Sequence, residues 1–164
     1  MPEIWEKVSE APQYIVSNQG RIRNADRGGR PLIVGKVTDG SLSVVLTVDG
    51  ISRPYLVRRL VAEAFVAPHN DLCDTVDHLD GNKENCFAEN LVWRPRHLAW
   101  RYTRQFREDI PQEWMTPVMN VETGERFTSV ISAGIRYGIV WEDLYNAVWL
   151  QRPTFPHGDH YVYI

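Results

Sequence analysis

An adjacent carboxylate and imidazole, Asp77 and His78, are the residues of this 164-residue chain whose types and spacing could do chemistry. A carboxylate binds a hard divalent cation through oxygen. A histidine that is neutral near pH 7 can take a proton from water. Cleavage of a phosphodiester needs both an activated water and charge stabilisation at the phosphate. Asn90, on the next predicted element, could hydrogen-bond the imidazole and hold its tautomer.

Two short strands and a helix must position this pair. Thr75 to His78 is predicted as a strand, the polar residues 80–85 as a loop, and Leu91 to Trp93 as a second strand. A basic helix is predicted over Arg96 to Phe106, because Pro95 stands just before it and proline favours helix starts.

Residues 1–56 are predicted to form a β-rich module. Its strands are predicted at Tyr14 to Val16, Arg21 to Arg23, Leu32 to Val37, Ser41 to Val48 and Ile51 to Leu56. Asp39-Gly40 and Asp49-Gly50 have the chemistry of hairpin turns. The hydrophobic period then changes, and the apolar positions from Val57 to Phe65 fit one face of a helix that Pro68 is expected to end.

A linker is predicted over residues 108–116, and residues 117–164 are predicted to form a third module. Two short helices, over Val130 to Tyr137 and Trp141 to Leu150, are separated at Gly138, and a strand is predicted at Tyr161 to Tyr163. This order is compatible with a helix-turn-helix followed by a wing. A packing module is the alternative, because acidic residues near the start of the second helix suit phosphate poorly.

The composition is that of a globular chain, with 43% hydrophobic and 24% charged residues. The apolar stretches are too short for a transmembrane helix, and we expect no signal peptide. The two cysteines form no Cys-x-x-Cys pair, which excludes a zinc knuckle and favours a reduced, intracellular protein. Four tryptophans are expected in hydrophobic cores: Trp93, Trp100, Trp141 and Trp149.

The segment from Asp77 to Asn85, followed by Asn90-Leu91, resembles the ββα-metal site of HNH nucleases in the version found in phage homing endonucleases. Glu3-Ile4-Trp5 and Tyr14 to Arg23 resemble the N-terminal nuclease-associated modular domain of those proteins. Val57 to Phe65 resembles their linking helix. The last fifty residues are similar, more weakly, to the helix-turn-helix repeat of the family, so the resemblance covers nearly the whole chain in the family's order.

The resemblance implies an α+β fold in three modules. A β-rich nuclease-associated DNA-binding module would cover residues 1–56, and the linking helix with the HNH ββα-metal domain would cover residues 57–107. After the linker at 108–116, a small helix-turn-helix-like module would cover residues 117–164.

By the same resemblance, His78 would be the general base, Asp77 a ligand of a single divalent metal (Mg²⁺ or Mn²⁺), and Asn90 the residue that orients the imidazole. Double-stranded DNA would be the partner, with no membrane involved, and the location would be the cytoplasm of a phage-infected bacterial host cell. The residues expected to contact DNA are Arg21, Arg23, Arg58, Arg59, Lys83, Arg94, Arg96, Arg101 and Arg104.

Three positions depart from the family's pattern. The second metal ligand is usually nine residues after the position of Asn90, where this chain has Ala99. His97 is a candidate metal ligand instead, although two residues along a helix turn a side chain by about 200°. The paired asparagines usual in the loop are Asn85 and Cys86 here, and Arg58 stands where the family commonly has His.

Two functions therefore stay open. The first is a metal-dependent DNA endonuclease, which the intact Asp77, His78 and Asn90 favour. The second is a catalytically degenerate descendant retained for binding DNA or a host or phage protein, which Ala99 and the acidic balance favour. A net charge of −3 is unusual for a DNA-binding protein, because Lys and Arg supply the affinity for phosphate. A third, weaker possibility is an interaction protein that no longer meets DNA.

Overall fold

The protein is described by a computed structural model that covers residues 2–26, 29–67 and 72–164. Pro68, which was predicted to end a helix, lies outside these ranges. Within them the fold mixes helices and strands, which confirms the predicted α+β class. None of the helices in these ranges is both long enough and apolar enough to cross a membrane.

Two three-stranded antiparallel sheets form the N-terminal part. Strands β1 (Trp5–Val8), β2 (Ala11–Ser17) and β3 (Ile22–Asn24) make the first sheet in sequence order. Strands β4 (Gly35–Lys36), β5 (Leu42–Val48) and β6 (Ile51–Leu56) make the second. Asp49 and Gly50 have φ angles of 50° and 78°. Positive φ at both central residues is what a tight hairpin turn of type I′ requires.

Helix α1 (Val57–Phe65) begins directly after β6, as predicted, and joins these sheets to the next elements. Val57, Leu60, Val61 and Ala62 are buried on its inner face. A hairpin of β7 (Thr75–His78) and β8 (Leu91–Arg94) follows, with a 3₁₀ turn (Ala88–Asn90) before β8. Both sheets, α1 and the hairpin share one core, so the hairpin is fixed against the N-terminal strands through α1.

The chain divides into two compact units, residues 1–99 (unit 1) and residues 100–164 (unit 2). The division falls within helix α2 (Arg96–Gln105). Unit 1 contains the β-rich segment and the hairpin together, so the module boundaries after residues 56 and 107 stay predictions. The predicted linker contains a 3₁₀ turn (Gln112–Met115).

Unit 2 has its own core between a small sheet and two helices. Strands β9 (Val118–Asn120), β10 (Arg126–Phe127) and β11 (Tyr161–Tyr163) pair in the order β10-β9-β11. Helices α3 (Val130–Tyr137) and α4 (Trp141–Trp149) are separated by Gly138, which adopts a left-handed φ of 64°. The core residues are Val118, Val130, Ala133, Ile139, Leu144, Val148 and Tyr161. The predicted order of helix, glycine, helix and strand is therefore present.

The strand predicted over Leu32 to Val37 was too long, since only Gly35–Lys36 pairs with β5. Ile33 in this segment is 94% exposed, so its apolar side chain does not mark a core position. The sequence analysis also missed β1, which has a single buried residue, Val8, and therefore no clear alternation of apolar and polar positions.

Two of the four tryptophans expected in a core are exposed. Trp93 and Trp141 are buried, whereas Trp100 and Trp149 are 61% and 69% exposed. The buried stripe of α4 runs through Trp141, Leu144 and Val148, and the next residue, Trp149, is turned by about 100° away from that stripe. On α2, the Arg104 guanidinium lies 5.2 Å from the centre of the exposed Trp100 ring.

Candidate functional site

The β7–β8 hairpin places the candidate catalytic residues at its closed end. Asp77 is opposite Val92 and His78 is opposite Leu91 in the antiparallel register. Asp77 and His78 are both buried, the side chains facing opposite sides of the strand as pleating requires. Arg94 lies two residues beyond Val92, and this diagonal position on the same face is within reach of a long side chain.

Asp77 accepts a hydrogen bond and forms an ion pair inside the hairpin. Its Oδ1 accepts a hydrogen bond of 3.0 Å from the backbone N–H of His78. Its Oδ2 lies 3.4 Å from Nε of Arg94, and each of the two side chains is less than 10% exposed. The pair is therefore a buried ion pair, in which the guanidinium compensates a carboxylate that is removed from water.

His78 is 3% exposed, and its Nε2 lies 3.9 Å from Sγ of Cys86. Burial, reinforced by the positive charge of Arg58, lowers the pKa of His78 to about 4. The imidazole is therefore neutral at pH 7, which a general base must be. Burial also raises the pKa of the Cys86 thiol to about 11, so the neighbouring sulfur is a neutral thiol.

Asp80 is the centre of the hydrogen bonds that shape the loop after His78. Its carboxylate accepts hydrogen bonds from the side-chain amides of Asn85 (2.7 Å) and Asn90 (2.9 Å) and from the backbone N–H of Asn82 (2.8 Å). Burial alone would raise the pKa of Asp80, but these hydrogen bonds outweigh it and hold the pKa below its usual value. The loop is therefore organised around a carboxylate that stays ionised.

Asn90 serves this loop through its side-chain amide. Its Oδ1 accepts from the backbone N–H of Asp80 at 3.1 Å, and its Nδ2 donates to Asp80 and, at 2.8 Å, to the carbonyl of Asn85. These partners belong to the loop and not to the imidazole. The direct orientation of His78 by Asn90 stays a prediction, whereas the geometry gives Asn90 the role of closing the loop next to His78.

The N-terminal module holds the same loop from outside. Lys83 Nζ contacts the carbonyl (2.8 Å) and carboxylate (3.2 Å) of Asp39, and Lys36 Nζ lies 2.5 Å from Glu84. The backbone N–H of Ala88 donates to the carbonyl of Asn18 at 2.8 Å. The sequence analysis did not predict these contacts, because each joins residues at least 44 positions apart.

Asp39 also organises Arg58, the residue that stands where the family commonly has His. Ser41 donates from Oγ to Asp39 at 3.0 Å and accepts from Nη1 of Arg58 at 2.6 Å. Arg58 is therefore held by the Ser41 hydroxyl, which Asp39 fixes in turn, in the connection between β4 and β5. Turn chemistry at Asp39-Gly40 was visible in the sequence, but this second role of Asp39 was not.

The residues predicted to bind a metal do not fit a divalent cation in this arrangement. Asp77 faces a guanidinium, the side chain of Ala99 is buried and has no donor atom, and His97 is exposed. Across the described ranges, no three or more His, Cys, Asp or Glu side chains are grouped so that they could hold a metal ion. A cation at Asp77 would have to displace Arg94.

Most of the cations predicted to contact DNA already contact carboxylates. Arg94 is buried in its pair with Asp77, and Arg101 is held by two hydrogen bonds to Asp143 (2.8 and 3.0 Å). The further pairs are Arg21–Glu3, Arg59–Glu63, Lys83–Asp39, Arg96–Asp74 and Arg104–Glu108. Arg23 differs, since its guanidinium lies 4.2 Å from the centre of the Trp5 ring. Arg94 is too buried to serve as a phosphate contact in this conformation.

Comparisons with known proteins bear on this site. Residues 3–47 match the NUMOD4 motif. The fold matches a solved structure that shows DNA binding and cleavage by the HNH homing endonuclease I-HmuI. The TM-score is 0.56, and the two sequences are 22% identical over 98% of both chains. At this identity the likeness establishes the fold.

Two uncharacterized HNH endonucleases of Acanthamoeba polyphaga mimivirus are similar in sequence. One is 33% identical over 141 residues, which are 82% of this chain and 41% of the relative. The other is 29% identical over 91 residues, which are 54% of this chain and 22% of the relative. The predicted resemblance to HNH homing endonucleases is confirmed. The chain spans less than half the length of these two relatives.

HNH endonucleases generally depend on a divalent metal, and in this chain the carboxylate of Asp77 forms an ion pair with Arg94. The phage origin and the DNA-reading role of the two C-terminal helices stay predictions. Asp80 lies in the loop that carries the resemblance but was not predicted as a site residue. The signal that could have found it is its place just before Gly81, where an aspartate commonly bonds the backbone two residues on.

The contact between the turn at Gly20 and the loop at Cys86 generates a prediction on stability. Gly20 and Gly40 have nearly equal φ angles of 82° and 85°, but a Cβ at Gly20 would lie 3.1 Å from Cβ of Cys86, whereas one at Gly40 would meet nothing within 4 Å. We expect Gly40→Ala to lower the free energy of unfolding by about 1–2 kcal/mol through left-handed strain alone. Gly20→Ala should lower it by a further ~1–3 kcal/mol through crowding. Urea denaturation followed by tryptophan fluorescence measures both, and equal decreases would contradict the crowding at Cys86.

Proposed function

We propose that this chain binds double-stranded DNA on an HNH homing-endonuclease-like scaffold and that its phosphodiester cleavage is weak or lost. The match of residues 3–47 to the NUMOD4 motif and the fold shared with I-HmuI support the DNA-binding part. The observation that carries the loss of cleavage is the buried pair of Asp77 with Arg94. Metal-dependent HNH chemistry needs a carboxylate open to a cation, and this one is occupied by a guanidinium.

The balance of charge in unit 1 supports modest affinity for duplex DNA. Salt-dependent affinity comes from cations that neutralise phosphates, and the ion pairs of this chain already use many of its lysines and arginines. Arg23 and Arg96 are the predicted contacts best able to meet phosphate. The guanidinium of Arg23 lies over an aromatic ring, which does not neutralise its charge as a carboxylate would. The Arg96 side chain is 87% exposed, and its carboxylate partner is 4.0 Å away.

His78 is the general base of any cleavage that survives. Its neutral imidazole supports this role, because it can accept a proton at pH 7. The burial of His78 and its contact with Cys86 argue against this role, because a water and a phosphate must reach the imidazole and both features limit access to it. Mg²⁺ or Mn²⁺ is the predicted cofactor of the active form, and the donor set at Asp77 supports only weak binding of such an ion.

A host or phage protein is the second candidate partner. The exposed aromatic side chains of unit 2 favour it, since Trp149 and Phe155 are 69% and 71% exposed. Large exposed aromatic residues are enriched at protein–protein interfaces. In this alternative the scaffold is retained for protein contact, and affinity for duplex DNA is absent.

Two assays on the full chain separate these functions. A gel shift with duplex DNA in EDTA should give a salt-dependent complex, because binding by charge needs no metal. A plasmid-nicking assay with Mg²⁺ or Mn²⁺ should give little product. Absence of any duplex complex at low salt would refute the DNA-binding proposal and favour a protein partner. Rapid nicking at low protein concentration would refute the loss of cleavage.

Replacement of Arg23 and Arg96 by glutamine tests the DNA-binding surface. The double variant should bind duplex DNA more weakly regardless of sequence. The slope of log affinity against log salt should fall by about 0.9 for each phosphate that is no longer neutralised. The control is the double variant Arg126→Gln/Arg152→Gln, which removes the same charge from exposed positions in unit 2. Equal slopes for the two double variants would mean that Arg23 and Arg96 do not contact phosphate.

The role of His78 is tested on residual nicking at excess protein with Mn²⁺. His78→Ala should reduce that nicking by roughly 10²–10⁴, because it removes the general base, and duplex affinity should stay close to that of the parent. His97→Ala is the matched control, since His97 is exposed and has no part in the buried site. Nicking that survives His78→Ala but is lost in His97→Ala would show that His97, and not His78, is the histidine that cleavage requires.

A further inference from the structure

The pair of Asp77 and Arg94 is built into the hairpin by its register. The two residues occupy diagonal positions on the same face of β7 and β8, so the arginine side chain runs back along the strand to the carboxylate. Nε of Arg94 lies 3.4 Å from Oδ2, and both side chains are almost fully buried. A charge that is taken out of water at this depth requires a partner of opposite sign.

The surroundings of Asp77 favour a guanidinium over a metal ion. The other carboxylate oxygen accepts the N–H of His78, so one face of Asp77 is already used by the backbone. Ala99, at the position where the family usually has a second ligand, is buried and has no donor atom, and His97 is exposed. Mg²⁺ and Mn²⁺ prefer several oxygen ligands with strict geometry, whereas an arginine supplies its charge from a covalently fixed position.

We propose that Arg94 replaces the divalent cation at Asp77, so that the guanidinium supplies inside the hairpin the positive charge that an HNH site otherwise takes from a metal. The folded chain is then complete without metal, and Arg94 and a divalent cation compete for the same carboxylate. This inference goes beyond the proposed function, because it concerns the charge at Asp77 and does not depend on DNA binding.

The test compares the parent with Arg94→Gln, which keeps a polar side chain and removes the charge. Mn²⁺ alone is the probe, with free ion followed by electron paramagnetic resonance and stability followed by the midpoint of thermal unfolding. The parent should bind Mn²⁺ weakly and unfold at the same temperature in Mn²⁺ and in EDTA. Arg94→Gln should unfold at a lower temperature than the parent in EDTA, and Mn²⁺ should raise its unfolding temperature part of the way back. Mn²⁺ should also bind Arg94→Gln at least about tenfold more tightly than the parent, because the guanidinium that repels the ion is gone.

The double variant Asp77→Asn/Arg94→Gln is the matched control. It lacks both charges, so it should fold in EDTA and gain nothing from Mn²⁺. Three outcomes would overturn the proposal: the parent binds Mn²⁺ as tightly as Arg94→Gln; Mn²⁺ stabilises the double variant equally; or Arg94→Gln stays unfolded in Mn²⁺ while the double variant folds. Should Arg94→Gln be unfolded in EDTA, recovery of its circular dichroism on addition of Mn²⁺ is the expected result.

Discussion

Burial of one face of helix α1 is the constraint on which the arrangement of unit 1 depends. Val57, Leu60, Val61 and Ala62 lie in the core that also takes in Val16, Ile22, Leu46, Leu91 and Trp93 from the surrounding strands. Because these side chains come from both N-terminal sheets and from the β7–β8 hairpin, the helix cannot move without opening all three. The hairpin that carries Asp77 and His78 is therefore positioned by hydrophobic packing, and its charged groups do not determine that position.

The polar contacts add to this frame the shape of the loop between β7 and β8. Asp80 collects hydrogen bonds from Asn82, Asn85 and Asn90, which closes the loop on itself. Lys83 and Glu84 then join it to Asp39 and Lys36 of the N-terminal module. Exposed ion pairs of this kind contribute little to stability by themselves. Their importance is geometric, because they fix which surface of the N-terminal module lies next to the loop.

The chain combines an HNH-like fold with a buried ion pair at the candidate site. The histidine is neutral and ready to accept a proton, but the adjacent carboxylate is buried against Arg94 and cannot serve a metal in that arrangement. Fold and catalytic chemistry depend on different residues here. The apolar positions of α1 pack the core, whereas one arginine on β8 forms the ion pair with Asp77. Under the proposed function, the chain keeps the surface that meets DNA while cleavage is weak or lost.

The sequence by itself predicted most of the local elements and the resemblance to HNH homing endonucleases. Helices α1 and α3 and strands β7 and β11 have the predicted bounds. The hydrophobic period of α1 is clear, and α3 has a capping box at Ser129 and a left-handed glycine, Gly138, at its end. The Asp77–His78 pair with its asparagine loop was enough to suggest the HNH resemblance that the comparisons confirm.

Only the tertiary structure decided what each charged residue contacts. Arg94 belongs to an arginine-rich segment and was expected to contact DNA. The register of β7 and β8 instead directs its side chain inward to Asp77. Lys83 and Arg58 meet Asp39 and Ser41 across more than fifteen residues of chain. Trp100 and Trp149 were expected inside and lie outside. Charge and size are properties of one residue, whereas partner and burial depend on which distant segments packing brings together, and local sequence carries no record of that.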